Sequence, residues 1–393
     1  MSEDASVTPV AAAADPAAAP VPPRQTARGA GRMNLTEGPI AKTLILFALP
    51  TLASNVLQML SGSINSVWVG QFLGGSALAA TANANIIMFL MFATFFGFGM
   101  AATVLIGQAI GRGDTDAARR ATGAVVGLAL IFSLVIAIVG WFASTTILHW
   151  LKTPPEAFDL AHDYLRVTFI AIPASMLAVT LMMASRGAGE AVTPLRFMLL
   201  SVVLDIALNP LLILGIGPFP RLGIAGSALA TAIAGTISLI AMLGWFYARD
   251  HLLRLRGPEL KYLLPNMEEL RFIIGKGLPM GAQMLVISGA GLVMVGLVNR
   301  EGLVTAAAYG ATLQLWNYVQ MPALAVGAAV SAMVAQNIGA AKWNRVTTIT
   351  NSGIAINLLM TGMLIALLLL FDRAALALFL GSDTAAIDAA HHI

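Results

Sequence analysis

The chain has 393 residues, of which 58% are hydrophobic and only 10% charged, with a net charge of +3. An average soluble domain carries about 25% charged residues, so a soluble fold of this length, with its large surface to cover, is excluded. The absence of cysteine removes disulfide frameworks, thiolate metal sites and cysteine nucleophiles.

Residues 1–33 are dominated by Ala and Pro and nearly lack large apolar side chains. They contain nothing that could bury a core and no apolar stretch of a signal peptide. The segment is expected to be a disordered cytoplasmic tail, with Arg24, Arg28 and Arg32 solvated or touching anionic lipid. Nine apolar runs follow, at roughly 41–68, 78–109, 121–148, 163–184, 194–216, 223–247, 271–298, 304–336 and 347–371. In lipid such runs must be helices, because an open strand would leave its backbone polar groups unpaired. Barrel strands alternate in polarity and are about ten residues long, which excludes a barrel. The expected fold is therefore all-α and polytopic, with Pro50, Pro173, Pro279 and Pro322 inside spans that lipid-embedded helices tolerate.

The first span carries Thr51, Asn55, Gln58, Gly62 and Asn65, which fall on one helical face. Lipid does not accept such a face, so it meets either neighbouring helices or a water-filled cavity. The second span adds Asn83 and Asn85. The fifth carries Asp205, the one acid well inside an apolar run. An ionised Asp at a helix centre costs about 2.5–3.5 kcal/mol on insertion scales, so the position demands a reason. One is a proton or Na⁺ site; the other is a neutral or paired acid that joins helices by hydrogen bonds. Asn209 lies one turn on, at i+4, and Pro210 after it frees a backbone carbonyl. These oxygens suit Na⁺, and the amide equally suits helix packing. The seventh span shows no polar counterpart, with Met284, Ile287 and Met294 at the matching places. The eighth supplies Gln314, Trp316, Asn317, Tyr318 and Gln320. Aromatic and amide groups together can surround an organic cation; the competing role for Trp316 and Tyr318 is an interfacial belt.

Seventeen of the twenty-two Lys and Arg residues fall on one side when the N-terminus is placed inside. That asymmetry predicts a cytoplasmic N-terminus, and the high Ala and Gly content points to a bacterial source and so to an inner membrane. The loop GRGDTDAARR lacks the lysine and preceding strand of a P-loop, so ATP is not expected to drive the protein. The histidines at 149, 162, 251, 391 and 392 make no metal-ligand spacing within a span, and no metal or organic cofactor is expected.

An internal repeat organises the whole. FALP (Phe47–Pro50) recurs as KGLP (Lys276–Pro279) about 230 positions later. GQAIGRGDTDAARRA, from Gly107, recurs as AQNIGAAKWNRVTTI, from Ala335, and LKTPPEAFDLAHDY answers to the terminal LGSDTAAIDAAHHI. This reads as two six-helix bundles with the second incomplete: 34–248, a cytoplasmic linker 249–270, and a three-helix part 271–393. Repeated halves with a site between them are a common plan of secondary transporters. The sequence is expected to be a truncated form of a twelve-helix protein.

Four stretches resemble the MATE (multidrug and toxic compound extrusion) family of antiporters. They are LTEGPIAKTLILFALPTLASNVLQML, SINSVWVGQFLGGSALAA, GQAIGRGDTDAARRA and SRGAGEAVTPLRFMLLSVVLDIALNPLLILGIGPFPRLGIAGSALAT. The second follows the pattern VDxxxVGxxLGxxALAA with Asn65 at the usual aspartate position; the fourth is similar to RGxGDTxTP and NxxxDP, with Asp205 and Asn209 exchanged. Helix seven has no acid between Glu269 and Glu301. The resemblance implies two bundles around a cleft, exporting drug or metabolite cations against inward H⁺ or Na⁺ flow. Asp205, Asn209 and Asn65 become the expected ion-coupling residues. Asn55, Gln58, Asn85, Gln314, Trp316 and Asn317 become the expected substrate cleft. The expected partners are a small organic molecule and the lipid bilayer, without nucleic acid. Two alternatives stand beside this: a flippase for a lipid-linked substrate, which needs fixed positive charge within the spans, and an inactive shortened transporter. A membrane enzyme would need clustered catalytic groups at membrane depth, and only Asp205 is there.

Overall fold

A computed structural model describes residues 33–150, 153, 155–371, 376, 387, 388 and 390. The tail 1–32, most of the terminal repeat segment after 371, His391, His392, Lys152, Arg373 and the side chain of Asn83 lie outside the described residues. Nine long helices run through what is described: α1 Ile40–Leu73, α2 Gly75–Gly111, α3 Thr115–Trp150, α4 Pro155–Gly187, α5 Val192–Leu214, α6 Ile224–Ala248, α7 Met267–Val298, α8 Leu303–Gly339 and α9 Trp343–Leu370. Each matches one expected span. The fourth starts at Pro155 rather than near 163, because Glu156, Asp159 and Asp163 continue the helix beyond the apolar stretch. Pro155 fits there, since the first helical position needs no N–H donor. All nine are long and apolar enough to cross a membrane. Pro50, Pro173, Pro210, Pro279 and Pro322 sit inside helices.

Helices α1–α6 pack together, chiefly α3 on α4, α5 on α6, and α4 on α2 and α6. Their core is built from alanine and a few large rings, with Phe95, Phe169, Leu165 and Tyr164 buried between α2, α3, α4 and α6. Small residues let helices approach closely where lipid supplies no hydrophobic drive. Gly140 shows this: a methyl there would lie 2.1 Å from the Phe169 ring.

The remaining helices attach through α2, which packs on α7 and α8, and through α1, which packs on α8. These contacts gather at the end carrying the α2–α3, α4–α5, α6–α7 and α8–α9 connections. Arg112, Arg119, Arg120, Arg249, Arg254, Lys342 and Arg345 lie there too, so it is the basic end. A methyl on Gly97 would lie 2.1 Å from the Gly277 carbonyl, on Gly111 2.0 Å from that of Gln336, and on Gly339 2.1 Å from that of Gln108. Away from this seam, Gln58, Leu60, Ser63 and Val67 of α1 and Gln314, Trp316, Asn317 and Tyr318 of α8 are exposed.

The linker after α6 is strapped to the first six helices. Arg119 pairs with Glu259 at 3.0 Å and donates to the Leu252 carbonyl at 3.1 Å. The Leu253 N–H donates to His251 Nδ1 at 3.2 Å, so Nε2 carries the proton and donates to Glu190 Oε1 at 2.9 Å. His251 also stacks on Phe246, with ring centroids 4.2 Å apart. This buried histidine has a packing role.

Candidate functional site

Helix α5 brings Asp205 and Asn209 onto one face, and the fold then buries that face against α1 and α6. Asp205 is only 5% exposed and Asn209 1%. Two partners of the Asp205 carboxylate come from other helices. Ser61 on α1 donates to Oδ2 at 3.1 Å, and Thr231 on α6 donates to Oδ1 at 2.8 Å. Asn209 Nδ2 donates to Oδ1 at 3.1 Å and to the Asp205 backbone carbonyl at 3.0 Å. That fixes the amide orientation and leaves Asn209 Oδ1 buried with no hydrogen-bond partner. A buried acceptor without a donor costs about 1–3 kcal/mol, and a cation beside it would relieve that cost.

Asn65 sits one turn from Ser61 on α1. Its Oδ1 accepts from Ser227 on α6, and its side chain shares a hydrogen bond with the buried Tyr164 of α4. Three helices are therefore joined at Asn65 and three at Asp205. These groups edge a cavity of about 260 Å³, slightly below the usual size range of small-molecule sites. Its polar lining includes Ser61, Asn65, Asn85, Tyr164, Thr168, Ser175, Asp205 and Thr231; Met88, Phe92, Ile172 and Met176 supply its apolar lining. Among the described residues, no Lys or Arg lines it. A carboxylate without a basic partner, in a pocket with an aromatic and a thioether wall, favours a cation over an anion.

The structure thus brings Asp205, Asn209, Asn65 and Asn85 together. It places the other expected cleft residues elsewhere. Asn55 and Gln58 sit earlier on α1, outside the cavity lining. Thr51 bonds back to the Phe47 carbonyl at 3.2 Å, so the polar face of α1 is not one continuous wall. Gln314, Trp316 and Asn317 lie exposed on α8 and do not reach the cavity, whose lining among the described residues comes from α1, α2, α4, α5 and α6. The residues that sequence reasoning passed over are Ser61, Thr168, Ser227, Thr231 and Tyr164. Three of them carried a signal in their spacing: Ser61 is at i,i+4 to Asn65, and Ser227 is at i,i+4 to Thr231.

The MatE family model matches residues 50–211 and 279–393. The chain belongs to the MatE family. It is a multi-pass membrane transporter and not an enzyme. Among its relatives is the probable multidrug resistance protein YoeA of Bacillus subtilis, 33% identical over 86% of this chain and 73% of the relative. Another is the probable multidrug resistance protein YpnP of the same organism, 33% identical over 80% of this chain and 68% of the relative. A crystal structure of MATE in complex with MaL6 shares the fold. It has a TM-score of 0.83 at 23% identity, covering 91% of this chain and 78% of that one. The family match includes both halves of the internal repeat, and its second segment begins at Pro279, the repeat partner of Pro50.

Proposed function

We propose that this MatE transporter exports organic cations, drugs or metabolites by exchange for H⁺ or Na⁺, with Asp205 as the coupling group. The observation that carries this reading is a buried carboxylate that meets only hydroxyl and amide donors beside a cavity without Lys or Arg. Only one net positive charge is balanced there at a time. An incoming ion on Asp205 therefore weakens the hold on a cationic substrate, and the substrate's departure re-exposes the site. Asn209 Oδ1, Thr231 and Asn65 would hold Na⁺ beside the carboxylate; a proton would need Asp205 alone. The excess of Lys and Arg at the basic end supports a cytoplasmic location for that end, and the reading puts the protein in the inner membrane of a bacterium. A flippase reading needs fixed positive charge to meet a phosphate, and this cavity offers none.

The test is dye efflux from cells lacking their own pumps, repeated after the pH or sodium gradient is collapsed. Loss of export on collapse of one gradient names the ion. Export that survives collapse of both removes the antiporter reading. A chain that expresses in the membrane and never exports supports the inactive reading.

Two further outcomes are expected at this site. If Na⁺ is the coupling ion, NaCl should raise the melting temperature of the purified protein by a few degrees over choline chloride, since a ligand at about ten times its Kd stabilises by ~1.4 kcal/mol. Asp205→Asn should abolish the rise; an equal rise in that variant would move the ion elsewhere. Thr231→Val removes one donor to Oδ1 with little change in shape. Efflux rate should fall on the order of tenfold, as expected for one hydrogen bond to a charged group, and an unchanged rate would assign Thr231 to packing alone.

A further inference from the structure

Seven residues ahead of α1 do more than lead into it. Residues 33–39 cross the seam between the first six helices and α7–α9 at the basic end. On one side the Met33 N–H donates to the Gly189 carbonyl in the α4–α5 turn at 3.1 Å. On the other side, three donors from the end of α8, the α8–α9 turn and the first turn of α9 reach its carbonyls. Asn337 Nδ2 donates to Leu35 at 2.9 Å, Lys342 Nζ to Thr36 at 3.0 Å, and Arg345 to Gly38 at 3.1 Å. Arg345 Nε also donates to Asn337 Oδ1 at 3.2 Å, tying two of these donors together. Leu35 is fully buried in a cluster with Leu44 and Phe47 of α1 and Val326, Ala329 and Met333 of α8. Gly38, at φ +78°, provides the turn into α1.

We infer that residues 33–39 form a latch that holds the two halves together at the basic end, and that Asn337, Lys342 and Arg345 are its catch. The inference rests on the alternating-access reading above, in which the seam must part for the cavity to open toward this end. The chemistry suits a reversible fastening. The acceptors are backbone carbonyls that exist whatever side chains the segment carries, and the donors include two cations, which make stronger bonds than neutral groups. All three donors sit within nine residues of one turn, while the acceptors are joined covalently to α1. Separating the halves must break all three bonds and expose Leu35 together. The latch therefore behaves as one unit.

The experiment uses the full chain, which has no native cysteine, with spin labels at Arg196→Cys on α5 and Thr347→Cys on α9, both exposed. Label–label distances are read by pulsed electron spin resonance in lipid nanodiscs, without substrate or gradient. Lys342→Met with Arg345→Met removes two donors while leaving the buried Asn337 in place, and Asn337→Ala is added in a third variant. The ratio of long to short distances should rise about tenfold for each charge-assisted bond lost. Lys342→Arg, which keeps a donor, should leave the ratio near its starting value. An unchanged ratio in the double and triple variants, with monodisperse elution, overturns the latch. A shifted ratio in a chain that exports nothing keeps the latch and removes the antiporter reading; export with unchanged distances does the reverse.

Discussion

Asp205→Asn is expected to reduce gradient-driven export to background while leaving the protein folded and inserted. The amide has nearly the shape of the carboxyl: its oxygen can still accept from Thr231, which donates at 2.8 Å, and its nitrogen, in the place of Oδ2, can donate to the Ser61 hydroxyl once that hydroxyl turns. What it loses is the charge and the capacity to take up a proton. Since no Lys or Arg among the described residues lines the cavity, that charge has no substitute among them. A buried charge without its partner costs several kcal/mol, so an interaction of that size is what a bound cation gains here and the variant forfeits. Loss of export on the order of a hundredfold is expected, measured as dye efflux normalised to membrane expression. Export equal to wild type would make Asp205 a packing residue, joining α1, α5 and α6 by neutral hydrogen bonds, and coupling would have to lie elsewhere.

Gly111→Val is expected to prevent the basic end from closing. A methyl at Gly111 would lie 2.0 Å from the Gln336 carbonyl oxygen and 3.0 Å from the Ala340 nitrogen. Those are backbone atoms of α8 and of the residue that caps it, and they cannot move aside as a side chain does. Overpacking a well-fitted interface costs about 1–3 kcal/mol, and more against rigid backbone; at about 3 kcal/mol the closed arrangement falls by more than a hundredfold. Solvent access reads this directly. Met333, 1% exposed in the seam, is replaced by cysteine, and its reaction with a water-soluble maleimide is timed. Labelling should be much faster in the Gly111→Val background than in native Gly111, and export should be lost. Equal labelling would mean that α2 and α8 do not seal this end.

Much of this protein was fixed by its sequence, for a reason that belongs to the membrane. An apolar run of 20 residues or more can satisfy its backbone in lipid only as a helix, so the nine spans and their order followed from hydropathy alone. The i,i+4 spacing of Asp205 and Asn209 placed both on one face before any neighbour was known. Repeat spacing identified which helices correspond. Rotation and tilt of those helices were another matter. A helix that is apolar all round gives no signal of which face meets protein and which meets lipid; only packing against neighbours decides it. Hence nothing along the chain paired Ser61 or Thr231 with Asp205, and the amides and rings of α8 looked as suited to the cavity as Asn85. The seam glycines carried no mark separating them from others in open space, such as Gly62 or Gly244. Tertiary structure alone decided that the cavity lies within the first six helices, and that the carbonyls of residues 33–39 face the α8–α9 turn. Both depend on contacts between segments far apart in the chain, 144 residues for Ser61 and Asp205 and 302 for Leu35 and Asn337, and those contacts exist only once the helices have chosen their partners.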